Sequence, residues 1–151
     1  MTFRILITEP VIDSVAQKLR KKYNVDVGKR GEFDTEEQLI KVIPGYDALL
    51  SMLSTPVTSR VIEAGKRLKV VANHAVGYNN IDLDAAKKAG IKVANTPDVL
   101  TESSADCTMA LLLCTARKIC DAQQYLRQGK FDGWEPLGFL GMELNGKTLG
   151  I

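Results

Sequence analysis

Short runs of aliphatic and β-branched residues alternate with amphipathic segments from the start of the chain to about Gly90. These apolar runs predict five β-strands, at residues 4–7, 25–27, 48–51, 69–73 and 92–94. Strands that alternate with helices in this way form βαβ units, whose strands pair in parallel. The pattern therefore predicts an α/β fold with a doubly wound parallel sheet, in which a ligand would bind beyond the carboxyl ends of the strands.

Capping residues predict where the intervening helices begin and end. Pro10 suits the start of the first helix, because a proline there loses no helical hydrogen bond. Thr35, with Gln38 three residues later, has the spacing of a capping box. Asp82 is a second N-cap residue, and Gly90 suits the end of the helix that Asp82 begins. The helices thus fall between the predicted strands, as the βαβ arrangement requires.

The pattern changes after Pro97. Thr101 can cap a single long helix that ends near Gly129, and its middle, residues 109–114, is apolar on almost every side. Such a helix is expected to lie between two bodies, and the alternative is a core helix of one domain. The closing residues, 147–151, predict a further buried strand that follows a turn.

Composition restricts the kinds of binding partner and the cellular compartment that we expect for the protein. The 151 residues include 20 basic and 18 acidic ones, a formal net charge of +2, without a basic face, which disfavours nucleic acid as a partner. The apolar run at residues 3–7 is too short for a signal peptide or a membrane span, so no membrane association is expected. Cys107, Cys114 and Cys120 have spacings that suit neither a disulfide framework nor a metal site. We expect a cytoplasmic protein with reduced cysteines.

Two loops at the carboxyl edge of the predicted sheet are the candidate binding elements. Gly77 allows the backbone to approach a bound group, and the N–H groups of Val76 and Gly77 can point at an anion such as a carboxylate. The alternative is an ordinary connection in which Gly77 only supplies an unusual backbone angle. Residues 51–56 would lie beside this loop. Neither they nor residues 75–77 include a basic side chain, so a small acid with an uncharged body suits the crevice better than a phosphorylated one.

Other polar residues are weaker candidates for a catalytic role. His74 is the only histidine, and at a strand end without a nearby acidic residue it is expected to be a hydrogen-bonded structural group rather than a general acid or base. Ser103, Ser104 and Asp106 lack a base for nucleophilic catalysis. Their presence is explained by the start of a helix, where such residues are common.

Three segments carry a family resemblance: SMLSTPVT, HAVGYNNIDLDAAKKAGIKVANTPDVLTESSAD and GKTLGI, in this order. They resemble the N-terminal half of the NAD(P)-dependent D-2-hydroxy-acid dehydrogenases, most nearly the glyoxylate and hydroxypyruvate reductases. The resemblance implies that residues 1–100 form a flavodoxin-like substrate-binding domain. It implies that residues 101–151 comprise an interdomain helix, a dimerisation arm and the first strand of a truncated Rossmann domain.

The resemblance also implies roles for individual residues. Val76 and Gly77 would donate main-chain hydrogen bonds to the substrate carboxylate, and Leu53 would lie against the substrate. Thr101 would approach the nicotinamide ring of the cofactor, NAD or NADP. Trp134 matches the tryptophan that reaches the active site of the partner subunit in the homodimers of this family.

The resemblance further places the family's catalytic residues outside this chain. No residue here matches the catalytic arginine, the histidine or the acidic residue that orients the histidine, so the chain by itself is expected to be inactive and to bind the cofactor weakly. Related phosphoglycerate dehydrogenases carry an arginine in the loop of residues 51–54, and phosphite dehydrogenases a lysine in place of Val76. The absence of both favours glyoxylate or hydroxypyruvate as the substrate.

Two other classes of protein remain open from the sequence. The same family includes transcriptional corepressors, so a non-enzymatic binding module is the main alternative. A receiver-like α/β domain is disfavoured, because the chain has no clustered pair of N-terminal acidic residues.

Overall fold

The computed structural model describes residues 2–151. Five strands form one parallel sheet in the order β2-β1-β3-β4-β5. The strands are β1 (Arg4–Ile7), β2 (Asn24–Val27), β3 (Ala48–Ser51), β4 (Val70–Asn73) and β5 (Lys92–Ala94). The helices are α1 (Asp13–Arg20), α2 (Glu36–Val42), α3 (Ser59–Ala64), α4 (Leu83–Lys88), α5 (Thr101–Ala116) and α6 (Ile119–Arg127), and a 3₁₀ turn (Ile43–Gly45) follows α2. This strand order is that of flavodoxin-like folds, so the predicted parallel α/β sheet is confirmed.

Alternate side chains of the sheet point into two apolar layers, one on each face. Ile5 and Ile7 pack with Ala16 of α1. Leu6 belongs to the larger core, which the sheet forms with α2, α3 and α4 and which contains the fully buried Leu39 and Val61. Because burial of each such aliphatic side chain contributes roughly 1.5–3 kcal/mol, the two layers hold the sheet firmly beneath the loops at its edges.

The predicted helix caps are mostly confirmed. Thr35 Oγ1 accepts a hydrogen bond from the Gln38 N–H while the Gln38 side chain accepts one from the Thr35 N–H, which is the complete capping box of α2. Asp82 accepts from the Ala85 N–H and caps α4. The predicted start of α1 at Pro10 is wrong. The helix begins at Asp13 because the preceding residue, Ile12, has a non-helical backbone (φ −53°, ψ 128°).

The single long helix predicted between Thr101 and Gly129 is wrong, because the structure has two helices there. Lys118, between α5 and α6, has a left-handed backbone (φ 53°), which interrupts the helical hydrogen bonds. The Ala116 carbonyl at the end of α5 instead accepts from the Met142 N–H at 2.7 Å. Thr101 is also not the N-cap residue: Leu100 holds that position, without a side-chain cap.

Residues 147–151, which the sequence predicts as a strand, do not belong to any strand of the structure. The preceding turn is present, with Gly146 at φ 70° and the Lys147 N–H donating to the Leu144 carbonyl. A strand is defined by hydrogen bonds to a neighbouring strand. The five strands of residues 2–151 all lie before residue 95, and none of them pairs with this segment.

The chain divides after Val99 into two compact units. The first contains the whole sheet and α1 to α4, and the second contains α5, α6 and the irregular segment after them. The assignment of substrate-binding and interdomain roles to these stretches remains a prediction. None of the helices of residues 2–151 has both the length and the apolar character that crossing a bilayer requires.

Candidate functional site

The two candidate loops leave the sheet side by side. The β3 loop (residues 52–56) and the β4 loop (residues 74–80) follow adjacent parallel strands, whose last residues, Ser51 and Asn73, are paired in register. The His74 N–H extends this pairing by donating to the Ser51 carbonyl at 2.8 Å. Both loops therefore lie at the carboxyl edge of the sheet, where open α/β folds bind their ligands.

Asn73 holds the β4 loop against the sheet. The residue is only 2 % exposed, and its amide nitrogen donates to the Gly77 carbonyl at 2.8 Å. Its amide oxygen accepts from Ser51 Oγ at 2.8 Å. Because a buried amide is stable only when its polar atoms are hydrogen-bonded, these bonds fix the path of the loop.

Asn80 joins the β4 loop to the β3 loop. Its amide nitrogen lies 3.1 Å from the Met52 carbonyl oxygen and 3.0 Å from the Thr55 carbonyl oxygen. Its amide oxygen accepts from the Asn73 amide nitrogen at 3.0 Å. The two asparagines thus form a hydrogen-bonded pair that sets the two loops at a fixed separation.

Two peptide groups of the β4 loop, Ala75–Val76 and Val76–Gly77, have their carbonyls bound and their N–H groups free of partners among residues 2–151. The Ala75 carbonyl accepts from the Thr96 N–H at 3.0 Å, and the Val76 carbonyl accepts from the Asn95 amide nitrogen at 2.8 Å. Within residues 2–151, the N–H groups of Val76 and Gly77 donate to no acceptor. Both residues are exposed, so these two N–H groups can serve an acceptor that comes from outside the fold.

The structure brings Leu53, Val76 and Gly77 together at one edge. A Cβ atom at Gly77 would lie 3.7 Å from Leu53 Cδ1, which is an ordinary van der Waals contact. The φ angle of Gly77 is outside the left-handed region. Gly77 therefore does not supply the unusual backbone angle that the alternative of an ordinary connection assigned to it, and the choice between that connection and a binding loop stays a prediction. Leu53 is 51 % exposed and offers an apolar surface next to the two N–H groups.

The two loops themselves carry no cationic side chain of lysine or arginine, and one of them contacts a carboxylate. Ser54 Oγ donates to Glu9 Oε1 at 3.2 Å, which brings a carboxylate to the β3 loop. The two loops contain no lysine or arginine. The donors that these loops offer to a ligand are therefore main-chain N–H groups, and the loops provide no lysine or arginine to pair with a second negative charge.

His74 does not have the environment that the sequence suggests. The residue is exposed, and its imidazole forms no hydrogen bond with any other described residue, so the expectation of a hydrogen-bonded structural histidine is wrong. The reason is that its backbone alone continues the ladder while the side chain turns to solvent. A general acid or base is usually oriented by a hydrogen-bonding partner, and His74 has none among residues 2–151.

Thr101 and Trp134 belong to the second unit. Thr101 is the exposed first residue of α5. Trp134 is 85 % exposed and borders a cavity of about 240 Å³ that Tyr125 and Phe139 also line. The rings of Tyr125 and Phe139 meet edge to face at 5.1 Å. The segment after α6 is therefore organised locally around aromatic side chains.

Sequence reasoning missed the three asparagines that shape the site: Asn73, Asn80 and Asn95. Asn73 ends an apolar strand, and a polar residue at a fully buried strand end is a signal of a loop anchor. Asn80 and Asn95 carry no such local signal. Their roles depend on which loops the sheet order brings together.

No group of three or more histidine, cysteine, aspartate or glutamate side chains is placed to hold a metal ion within the described part of the chain. Its three cysteines, Cys107, Cys114 and Cys120, are free. The same residues, 2–151, provide no strand that leads through a glycine-rich turn into a helix after Leu100, which is the arrangement that holds a dinucleotide pyrophosphate. The residues present therefore do not form a complete dinucleotide site.

The strand order and the adjacent loops at the carboxyl edge define a doubly wound α/β protein. Within that class, the chain belongs to the D-isomer specific 2-hydroxyacid dehydrogenases: residues 5–146 match the catalytic domain of this family.

Individual relatives agree with this assignment. The chain is 40% identical to the glyoxylate reductase of Thermococcus onnurineus over 152 residues, which cover 98% of the chain and 46% of that relative. The crystal structure of the TT0316 protein from Thermus thermophilus superposes with a TM-score of 0.86 at 36% identity, covering 93% of the chain and 45% of that protein.

A second solved structure is that of an NADPH-dependent glyoxylate/hydroxypyruvate reductase from Sinorhizobium meliloti in complex with NADP and malonate. It superposes with a TM-score of 0.74 at 30% identity and covers 98% of the chain and 45% of that protein. The chain thus spans less than half the length of each of these relatives.

Proposed function

We propose that the first unit of this chain binds the carboxylate of a small 2-oxo or 2-hydroxy acid. The observation that carries the proposal is the pair of exposed N–H groups at Val76 and Gly77, whose peptides have their carbonyls bound by other residues. Hydrogen bonds from backbone N–H groups to a carboxylate are charge-assisted and are about twice as strong as neutral ones. Leu53 would contact the apolar body of the acid.

The reaction we propose for the whole protein is hydride transfer between NAD or NADP and such an acid, with glyoxylate or hydroxypyruvate as the substrate. The names of the relatives support this reaction class. The two loops contain no lysine or arginine, and the Glu9 carboxylate is bound to Ser54 of the β3 loop. Both features support a substrate with one negative charge over a phosphorylated substrate. A nicotinamide cofactor supplies the hydride, and the residues of this chain hold the acid.

Within that reaction, this chain is the binding half and is inactive alone. The exposed His74 has no orienting partner among the described residues, and those residues do not form a complete dinucleotide site. Thr101 is proposed to approach the nicotinamide ring in the full-length enzyme. We further propose that the protein is a cytoplasmic homodimer in which Trp134 reaches the partner's active site.

Isothermal titration calorimetry of the 151-residue chain with sodium glycolate tests the binding function. We expect saturable binding by the wild type and weaker binding by Val76→Pro, which removes one of the two N–H donors. Glycolamide, which has no carboxylate, is the matched control and is expected not to bind. Equal affinity for glycolate and glycolamide would contradict a carboxylate site.

A separate assay tests the proposed inactivity. The chain is incubated with glyoxylate and either NADH or NADPH, and oxidation of the nucleotide is followed by its absorbance. We expect no turnover above the rate without protein. Turnover by this chain would show that its own residues include a proton donor and a cofactor site.

A further inference from the structure

We propose that Asn95 is a positioning residue that directs the Gly77 N–H into the carboxylate site. This inference rests on the proposed function and assigns a role to a residue that lies on a different strand exit from the two binding loops. Asn95 follows β5, and its side-chain amide is the donor to the Val76 carbonyl, at 2.8 Å.

The direction of the Gly77 N–H is set by the geometry of its peptide group. A peptide is planar and trans, so the carbonyl of one residue and the N–H of the next point in opposite directions. Residues 2–151 contain no cis peptide bond. A donor that holds the Val76 carbonyl therefore also fixes the direction of the Gly77 N–H, and it makes that N–H point away from the donor.

The peptide group one residue earlier is held by a different kind of donor. The Thr96 N–H holds the Ala75 carbonyl at 3.0 Å and so fixes the direction of the Val76 N–H. That donor is a main-chain group, which nearly any residue at position 96 would supply. The direction of the Gly77 N–H, in contrast, depends on a side chain. Only a residue with a side-chain donor of the right length can take the place of Asn95.

Because residue 77 is a glycine, the direction of its N–H depends even more strongly on the Asn95 hydrogen bond. Glycine has access to a wider range of φ and ψ than any other residue, so the peptide between Val76 and Gly77 has little intrinsic resistance to rotation. A rotated peptide would present the Val76 carbonyl oxygen to the acid, and the two negative groups would repel each other. The Asn95 hydrogen bond is therefore what keeps a donor rather than an acceptor at this point of the site.

The test is an NMR titration of the ¹⁵N-labelled 151-residue chain with sodium glycolate. In the wild type, the amide protons of Val76 and Gly77 are expected to shift downfield together as the carboxylate accepts both hydrogen bonds. In Asn95→Ala, the Gly77 shift is expected to be lost while the Val76 shift persists. Loss of one charge-assisted hydrogen bond is expected to weaken binding by about ten-fold.

Two further variants separate positioning from stability and charge. Asn79→Ala removes an exposed amide from the same loop without touching the Val76 carbonyl, and it is expected to leave both shifts unchanged. Asn95→Asp keeps the shape of the side chain but cannot donate, so it is expected to lose the Gly77 shift even if Asn95→Ala unfolds. Asn79→Asp is its control for added charge.

The outcomes distinguish the two proposals. If the wild type shows no downfield shift at either amide, the carboxylate site itself is wrong. If the wild type responds and Asn95→Ala or Asn95→Asp retains the full Gly77 shift, the site stands and the role of Asn95 is wrong. Equal loss of the Val76 and Gly77 shifts in a folded Asn95 variant also overturns the positioning role, because it indicates a general effect on the loop.

Discussion

A single side-chain amide, that of Asn80, bridges the two loops of the candidate site. It donates to the carbonyls of Met52 and Thr55. Truncation of the side chain leaves the Thr55 carbonyl without a donor among residues 2–151, whereas the Met52 carbonyl keeps the Thr55 N–H. We therefore expect Asn80→Ala to lower the free energy of unfolding by about 1–3 kcal/mol. Urea unfolding measures this change, followed by far-UV circular dichroism because the only tryptophan, Trp134, lies in the second unit.

Asn79→Ala is the matched control for this variant. Its side chain is exposed, and a surface truncation of this kind is expected to change stability by less than about 0.5 kcal/mol. If the two variants unfold at the same urea concentration with the same slope, the hydrogen bonds of Asn80 do not stabilise the loops.

Asp47, in the first unit, makes stability depend on pH. The Arg4 backbone N–H, which donates at 2.9 Å, holds the pKa of Asp47 below its ordinary value, and the Arg67 guanidinium at 2.9 Å acts in the same direction. A carboxylate whose folded pKa is lowered stabilises the fold above its unfolded pKa of about 4, and this contribution is lost as the pH falls through the folded pKa.

The corresponding prediction compares the wild type with Asp47→Asn across the acid range. We expect the wild type to be the more stable at pH 6, and the difference in unfolding free energy to shrink as the pH falls below about 4. Thermal or urea unfolding at each pH measures it, and Asp34→Asn, at an exposed aspartate, is the control. A difference that stays constant from pH 6 to pH 3 would contradict the assignment.

At the scale of elements, the capping box of α2 is a self-contained unit of stability. Thr35 and Gln38 satisfy each other's backbone N–H groups at the start of a short helix that carries the fully buried Leu39. Thr35→Ala is expected to cost about 1 kcal/mol, measured as a lower urea midpoint. Ser14→Ala, at an exposed position inside α1, is the control, and an equal effect of both changes would argue against the cap.

Local signals of this kind account for what the sequence could predict. The Thr35 and Asp82 caps form hydrogen bonds to residues three positions away, and the strands arise from short apolar runs. Both can therefore be predicted without knowledge of the tertiary structure. Sequence reasoning failed where a distant contact decides the geometry. The end of α5 at Ala116 coincides with a hydrogen bond from the Met142 N–H, and a left-handed lysine at position 118 has no sequence signal.

Only part of the candidate site could be predicted from the sequence, because contacts between distant residues also shape it. Val76 and Gly77 could be proposed from their place after a strand, whereas Asn80 and Asn95 act on carbonyls that are 19 or more positions away along the chain. Their partners are defined by the order of β3, β4 and β5 in the sheet. The order of the strands in the sheet cannot be predicted from a sequence pattern unless the fold is already known.

At the scale of the whole molecule, the exposed apolar surface of the second unit predicts self-association. No residue of α5 is buried, and Leu111 is 63 % exposed on a helix whose middle is almost entirely apolar. Large exposed apolar patches are typical of surfaces that bind another protein. We therefore expect the 151-residue chain to sediment as a dimer or a larger species at low micromolar concentration.

A charge placed on this surface tests whether α5 is responsible. Leu111→Lys is expected to shift sedimentation towards the monomer, because a desolvated lysine without a partner opposes burial of the helix. Ile12→Lys places the same charge at an exposed apolar residue of the first unit and is expected to leave the distribution unchanged. A wild-type chain that sediments as a monomer would contradict both the dimer and the role of α5. A dimer that persists in Leu111→Lys would contradict the role of α5 and would indicate the aromatic segment around Trp134 as the contact instead.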